Sequence, residues 1–286
     1  MTLFGPAGNS DSFAQKGYKT YLEVPKYCRE MGLDAFEYQC GRGVRISAQS
    51  AQALGGEAQR HGVRLSLHAP YYISMSSTEE DKRENSLNYI LQSARAVDHM
   101  GGDRIVVHTG SCGSISREFA LELAKNTMKK ALAALDAQGL GHVHICPEVM
   151  GKINQLGTLE EVLALCRLDE RLIPCIDFGH LNARTFGSLK TREDFSAVLD
   201  AVENALGNGR MRLFHAHFSK IEYTEKGGEK KHLTFADTQF GPDFNLLAGL
   251  LWERDCRPTI ICESAGTQAE DAAAMKAAYL ERQPVQ

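Results

Sequence analysis

Short apolar runs alternate with longer amphipathic stretches along the whole chain. The runs predict strands at TLFGP (2–6), DAFEYQ (34–39), VRLSLH (63–68), RIVVH (104–108), HVHICPE (142–148), LIPCID (172–177), RLFHAHF (212–218) and PTIICE (258–263). Between them, SAQSAQALGGEAQRHG, TEEDKRENSLNYILQSARAVDHMG and SREFALELAKNTMKKALAALDAQG repeat apolar residues at i, i+3, i+4 and i+7, with serine and glycine placed as helix caps. Strands alternating with helices imply parallel βαβ units. Eight such units in 286 residues predict an α/β chain closed as a single (β/α)8 TIM barrel, one domain over residues 1–286. The polar stretch SKIEYTEKGGEKKHLTFADTQFGPD after the seventh strand is too long for a tight turn and is expected to be functional or mobile.

Barrels of this kind carry their chemistry at the C-terminal ends of the strands, so the last strand residues are the test. From the third strand to the eighth they are His68, His108, Glu148, Asp177, His217 and Glu263. A single buried histidine is usually a satisfied core residue, and a single Asp before a helix is usually a cap. Six such groups on one rim would be a costly desolvated cluster unless cations neutralise the carboxylates. Imidazoles with carboxylates and no thiolates suit zinc, with manganese or iron as alternatives. His180, three residues beyond Asp177 in CIDFGH, and His232 add ligands from loops. The total exceeds what one catalytic zinc takes from protein, so two or three ions are expected, an arrangement suited to phosphoryl chemistry. His61, His99, His142 and His144 are read as structural, and His215 as lying deeper than His217.

Composition narrows the setting. With 43% hydrophobic and 24% charged residues the chain can bury a sizeable core. No stretch has the length of a membrane span and the N-terminus lacks a signal-peptide pattern, so a cytoplasmic protein is expected, with no obligate protein partner evident. Eight cysteines without a C-x-x-C pair are read as reduced core residues. A net charge of −4 argues against wholesale basicity but leaves room for a local positive cleft.

The ordered motifs SLHAPYYIS, VVHTGS, PEVMGKINQLG, CIDFGHLNA, FHAHFSK, KKHLTF and IICES resemble endonuclease IV, the trinuclear-zinc apurinic/apyrimidinic endonuclease of the xylose isomerase-like barrel superfamily, from the second strand to the eighth. The resemblance implies that His68, His108 and Glu148 hold one zinc, that Glu148 bridges to a second held by Asp177, His217 and Glu263, and that His180 and His232 hold a third. It implies a hydrolase that cuts duplex DNA on the 5′ side of an abasic site in base excision repair, with Glu148 and Glu263 as catalytic residues. It also implies a DNA-binding wedge from the loops after the second and third strands, here Arg42 or Arg45 with Tyr71 and Tyr72. Two departures stand out. The family has Asp two residues before the final loop histidine, where this chain has Lys230, and Asn-Asp where this chain has Phe-Ser after His217. Either Glu229 or Glu222 then takes over at the third ion, or that ion is lost or weakly held. The alternatives are a single-metal sugar isomerase or epimerase using Glu148, Asp177, His217 and Glu263, and a non-catalytic binding protein on the same barrel.

Overall fold

The structure, a computed structural model, describes residues 1–282. All eight predicted barrel strands form: β1 Leu3–Pro6, β2 Ala35–Gln39, β3 Arg64–His68, β4 Arg104–Val107, β5 His144–Pro147, β6 Cys175–Asp177, β7 His215–Phe218 and, after a hairpin of β8 Ile221–Thr224 and β9 Gly228–His232, β10 Thr259–Cys262. They are shorter than the apolar runs. Arg212 and Leu213 end the preceding helix rather than open β7, and His108, Glu148 and Glu263 each stand one residue past their strand.

Parallel pairing runs β2-β3-β4-β5 on one side and β6-β7-β10-β1 on the other. Isolated parallel bridges close the two seams, Ala7 to Glu37 at one, and Ile145 to Leu172 and Glu148 to Cys175 at the other. At the first seam a Cβ on Gly5 would sit 2.0 Å from the Ala35 carbonyl oxygen, so only glycine lets β1 and β2 approach. The result is a TIM barrel.

The helices form where the sequence places their caps. Ser47 and Ser116 accept hydrogen bonds from Ser50 and Phe119 N–H groups at the starts of helices Ala48–His61 and Arg117–Ala137, and Gly62 closes the first in the left-handed region. Their apolar faces, with those of the other helices, pack on the outside of the strands as the main core. Inside the barrel the filling is unusual. A small patch of Val106, Cys146, Ile173 and Cys175 sits apart from the main core, and Glu37, Ser66, His215 and His217 are buried nearby. All eight cysteines are free and buried. Among the described residues no helix is long and apolar enough to cross a membrane.

The polar segment after β7 is partly ordered as the β8–β9 hairpin rather than open loop. Its tip is hydrogen-bonded to the segment after β5, with the Glu229 N–H donating to the Gly151 carbonyl at 3.1 Å and the Ile153 N–H donating to Gly227 at 3.2 Å. That segment is itself clamped. Arg117 donates to the Ile153 and Gln155 carbonyls and Arg184 to those of Met150 and Gly157.

Candidate metal centre

The rim at the C-terminal ends of the strands opens into a cavity of about 470 Å³ lined by His68, His108, Glu148, Glu263, His180 and His232, with Tyr71, Met150, Lys152, Gln155 and Glu229. Asp177 and His217 lie fully buried next to Glu148 and Glu263. All eight histidine and carboxylate ligands expected from the sequence therefore meet in one place.

Glu148 is the hub. Its Oε2 lies 3.0 Å from His108 Nε2 and 3.3 Å from His68 Nε2, and its Oε1 lies 3.0 Å from His217 Nδ1. Beyond it, His217 Nδ1 is 3.4 Å from Glu263 Oε1 and 3.9 Å from Asp177 Oδ2. Three donor groups result at the rim, His68 with His108 and Glu148, Glu148 with Asp177, His217 and Glu263, and His180 with His232 and Glu263, each with its ligand atoms within 4.8 Å of one another.

Asp177 is both a cap and a site residue. It is the N-cap of the buried helix Phe178–Arg184, and its Oδ1 accepts the His180 N–H at 2.7 Å. Its Oδ2 is buried without a hydrogen-bond partner among the described residues. The nearest N–H, on His180 Nδ1 at 3.0 Å, is already directed to the Val149 carbonyl. An orphaned buried carboxylate oxygen is costly in a neutral setting and is what a metal ligand looks like without its ion.

The imidazoles are set by neighbours that engage their far nitrogens. His68 Nδ1 donates to the Ala69 carbonyl at 2.9 Å, which turns Nε2 toward Glu148. His217 presents Nε2 to Glu37 Oε1 at 3.0 Å, too obliquely for a hydrogen bond, and Nδ1 to the site. Glu37 was not singled out in the sequence; its signal is a carboxylate midway along the apolar strand AFEYQ. It also meets His215 Nε2 at 2.9 Å and accepts from Ser66 at 3.0 Å, so His215 serves the barrel interior.

The electrostatics follow the crowding. Burial would raise the Glu148 carboxyl, but hydrogen bonds from His108, His180 and His217 hold it well below the usual range. Burial also works against charge on His180, yet Asp177, Glu148 and Glu229 carry it up to about 10. Glu263 is raised, chiefly by burial and further by Asp177 and Glu148. Against burial, the neighbouring carboxylates favour the charged forms of His68, His180 and His217, burial favours the neutral form of His108, and divalent ions would take the place of the imidazole protons. The donor set of carboxylates and imidazoles, together with the orphaned Asp177 oxygen, fits zinc or manganese.

Lys230 faces away from the cavity. It pairs with Glu222 and leaves 56% of its side chain exposed, whereas Glu229 lines the cavity. Of the wedge candidates, Tyr71 is at the cavity, its exposed ring stacked on His108 with centroids 5.2 Å apart, and its N–H donates to Gly41 next to Arg42. Tyr72 instead leans on Tyr89, and Arg45 lines a separate groove with Tyr21 and Tyr38. Arg42 is exposed on the loop after β2. The other histidines stay structural: His142 pairs with Asp98, and His144 bonds the Arg171 carbonyl.

The family model of the xylose isomerase-like TIM barrel matches residues 25–283. An uncharacterized protein of Methanocaldococcus jannaschii is 33% identical over 276 residues, 96% of each chain. A probable endonuclease 4 of Staphylococcus carnosus is 22% identical over 244 residues, 83% of this chain and 76% of its own. Among solved structures, a D-tagatose 3-epimerase-like protein superposes with a TM-score of 0.73 at 19% identity, covering 98% of this chain and 97% of its own, a likeness of fold. The matched span and the identity to the M. jannaschii protein lead to one conclusion: the chain belongs to the xylose isomerase-like TIM barrel family.

Proposed function

We propose that the rim is a multinuclear metal centre and that the chain is a phosphodiesterase cutting DNA 5′ to abasic sites. The observation that carries this reading is the pair of donor groups sharing Glu148. A sugar epimerase centre built on Glu148, Asp177, His217 and Glu263 alone would leave His68 and His108 without a role. The relationship to a probable endonuclease 4 supports the same reading.

Bound there, zinc ions would supply positive charge to the phosphoryl oxygens and make water nucleophilic near neutral pH. His68, His108, Glu148, Asp177, His217 and Glu263 would hold them, with His180 and His232 at a further position. The chain itself supplies position and charge. Glu148, pinned between imidazoles from β3, the β4 end and β7, fixes the spacing of the centre. Lys152 places a cation at the cavity mouth, where a phosphate would enter. Tyr71 offers an exposed aromatic face beside His108, suited to stacking against a nucleotide next to the lesion, with Arg42 close by on the mated loop. An abasic nucleotide lacks the pairing and stacking that resist extrusion, so little work is needed to bring it to the rim.

A second reading has its own support. Glu148, Asp177, His217 and Glu263 alone form a complete four-ligand set, and a D-tagatose 3-epimerase-like protein shares the fold. In that case Glu148 and Glu263 would exchange protons with a ketose.

The test is incision of a duplex oligonucleotide carrying one abasic-site analogue by zinc-replete protein at low salt. Cutting 5′ to the lesion is expected, and His108→Ala should reduce it by more than the roughly 100-fold that loss of an outer-shell partner costs. Absence of cutting by metal-loaded protein, with ketose epimerisation present, would replace this reading with the second.

A further inference from the structure

The rim hairpin carries one extra residue. β8 and β9 pair Ile221 with His232 and Glu222 with Lys231, then shift register so that Tyr223 meets Glu229 and Thr224 meets Gly228. Lys230 is left without a partner across the ladder, which makes it the inserted residue of a β-bulge. In a regular strand Lys230 and His232 would share a face and Glu229 would point the other way. With the bulge, Glu229 and His232 both line the cavity, and Lys230 turns outward to Glu222.

Two glycines let the hairpin press Glu229 against the site. Gly228 has φ +74°, and a Cβ there would lie 2.3 Å from the Gly151 carbonyl oxygen. A Cβ on Gly151 would lie 2.6 Å from Glu229 Cβ and 2.8 Å from His180 Cδ2. The carboxylate then sits with Oε2 3.5 Å from His180 Nε2 and Oε1 3.9 Å from His232 Nε2. Both rings have their other nitrogen engaged, His180 Nδ1 by the Val149 carbonyl at 3.1 Å and His232 Nδ1 by Ser219 Oγ at 2.9 Å. Their Nε2 atoms therefore face the Glu229 carboxylate, while Glu263, whose Oε2 lies 4.0 Å from His232 Nδ1, is the other carboxylate within reach of both rings. The separations are too long for good hydrogen bonds, and with one carboxylate oxygen turned to each ring they leave room for an ion between them, since atoms about 2.1 Å from a tetrahedral zinc stand about 3.4 Å apart. Glu222 cannot do this, being held outside by Lys230 and Lys231.

We propose that Glu229 adds a carboxylate to the ion position marked by His180, His232 and Glu263, and that the bulge at Lys230 delivers it. The inference rests on the reading of the rim as a metal centre. It makes the hairpin part of the site and accounts for a lysine where a carboxylate two residues before His232 would otherwise serve.

The experiment is metal stoichiometry of the full chain equilibrated at fixed free zinc, for the wild type, Glu229→Gln, His232→Ala and Lys230→Ala. Circular dichroism confirms folding, and cobalt(II) spectra report the coordination. The expected result is that Glu229→Gln and His232→Ala each lose one ion per chain and the same cobalt bands, while Lys230→Ala keeps all. Affinity at that position should fall by at least the roughly 10- to 100-fold typical of an outer-shell loss, and Glu229→Asp should recover part of it. Full stoichiometry and unchanged cobalt bands in Glu229→Gln would overturn the role of Glu229 and leave the metal centre standing. A wild type that binds no zinc would overturn both.

Discussion

Asp177 serves the backbone with one oxygen and the site with the other. Oδ1 caps the helix Phe178–Arg184 through the His180 N–H, and Oδ2 lies buried beside His217 with no hydrogen-bond partner among the described residues. The cap also orients His180, so one residue sets two of the rim positions. These duties separate by substitution, because Asn caps helices as well as Asp but brings no charge. Asp177→Asn should leave the melting temperature of the metal-free chain unchanged or higher, with zinc content reduced. Asp177→Ala should cost the metal-free chain about 1 kcal/mol for the lost cap. Equal zinc binding by Asp177→Asn and wild type would remove Oδ2 from the ligand set.

At the scale of elements, the side of the site that carries His180, Glu229 and His232 is assembled from three segments that brace one another: the stretch after β5, the helix after β6 and the β8–β9 hairpin. The hairpin would be marginal alone. It is held by its hydrogen bonds to Gly151 and Ile153, which the Arg117 and Arg184 guanidinium groups keep in place. Gly228 is the tight point. Gly228→Ala imposes a left-handed backbone cost of about 1–2 kcal/mol and drives a Cβ into the Gly151 carbonyl. The expected outcome is faster hydrogen exchange confined to the hairpin and loss of the ion position at His232, with the donors on β3, β6 and β7 still loaded. Uniform exchange across the barrel would show that the hairpin is not a separate unit.

For the whole molecule, the closed barrel makes stability and site geometry depend on the same buried polar clamps. Glu161 closes a capping box with Thr158, accepts the Gly157 N–H and takes both Arg117 Nε and Nη2 at 2.8 and 2.7 Å. Burial pushes its carboxyl up, but Arg117 and the two backbone N–H groups outweigh this and hold it below its ordinary value of 4.5. A depressed folded pKa means a contribution to stability that is complete above the unfolded value and lost as pH falls through the folded one. Stability should therefore decline from about pH 4.5 downward, and less steeply in Glu161→Gln. At neutral pH that variant should be less stable by about 2 kcal/mol, measured by urea unfolding. An unchanged acid limb in Glu161→Gln would assign the decline to other carboxylates.

The amino-acid sequence by itself determined the alternation of eight strands with helices, the caps at Ser47, Ser116 and Asp177, and the placement of His68, His108, Glu148, Asp177, His217 and Glu263 at strand ends. These are local properties: periodicity, capping and chain order are written in neighbouring residues, and barrel topology turns strand ends into one rim. Tertiary structure decided what depends on contacts between distant segments. It chose Glu229 over Lys230, because the bulge appears only when β9 pairs with β8 and its tip docks on Gly151. It put Tyr71 rather than Tyr72 at the cavity, because Tyr71 stacks on His108 while Tyr72 packs on Tyr89 of the following helix. It gave Glu37 its place beside His215 and His217, across 178 residues of chain in the case of His215, because only barrel closure brings β2 and β7 face to face.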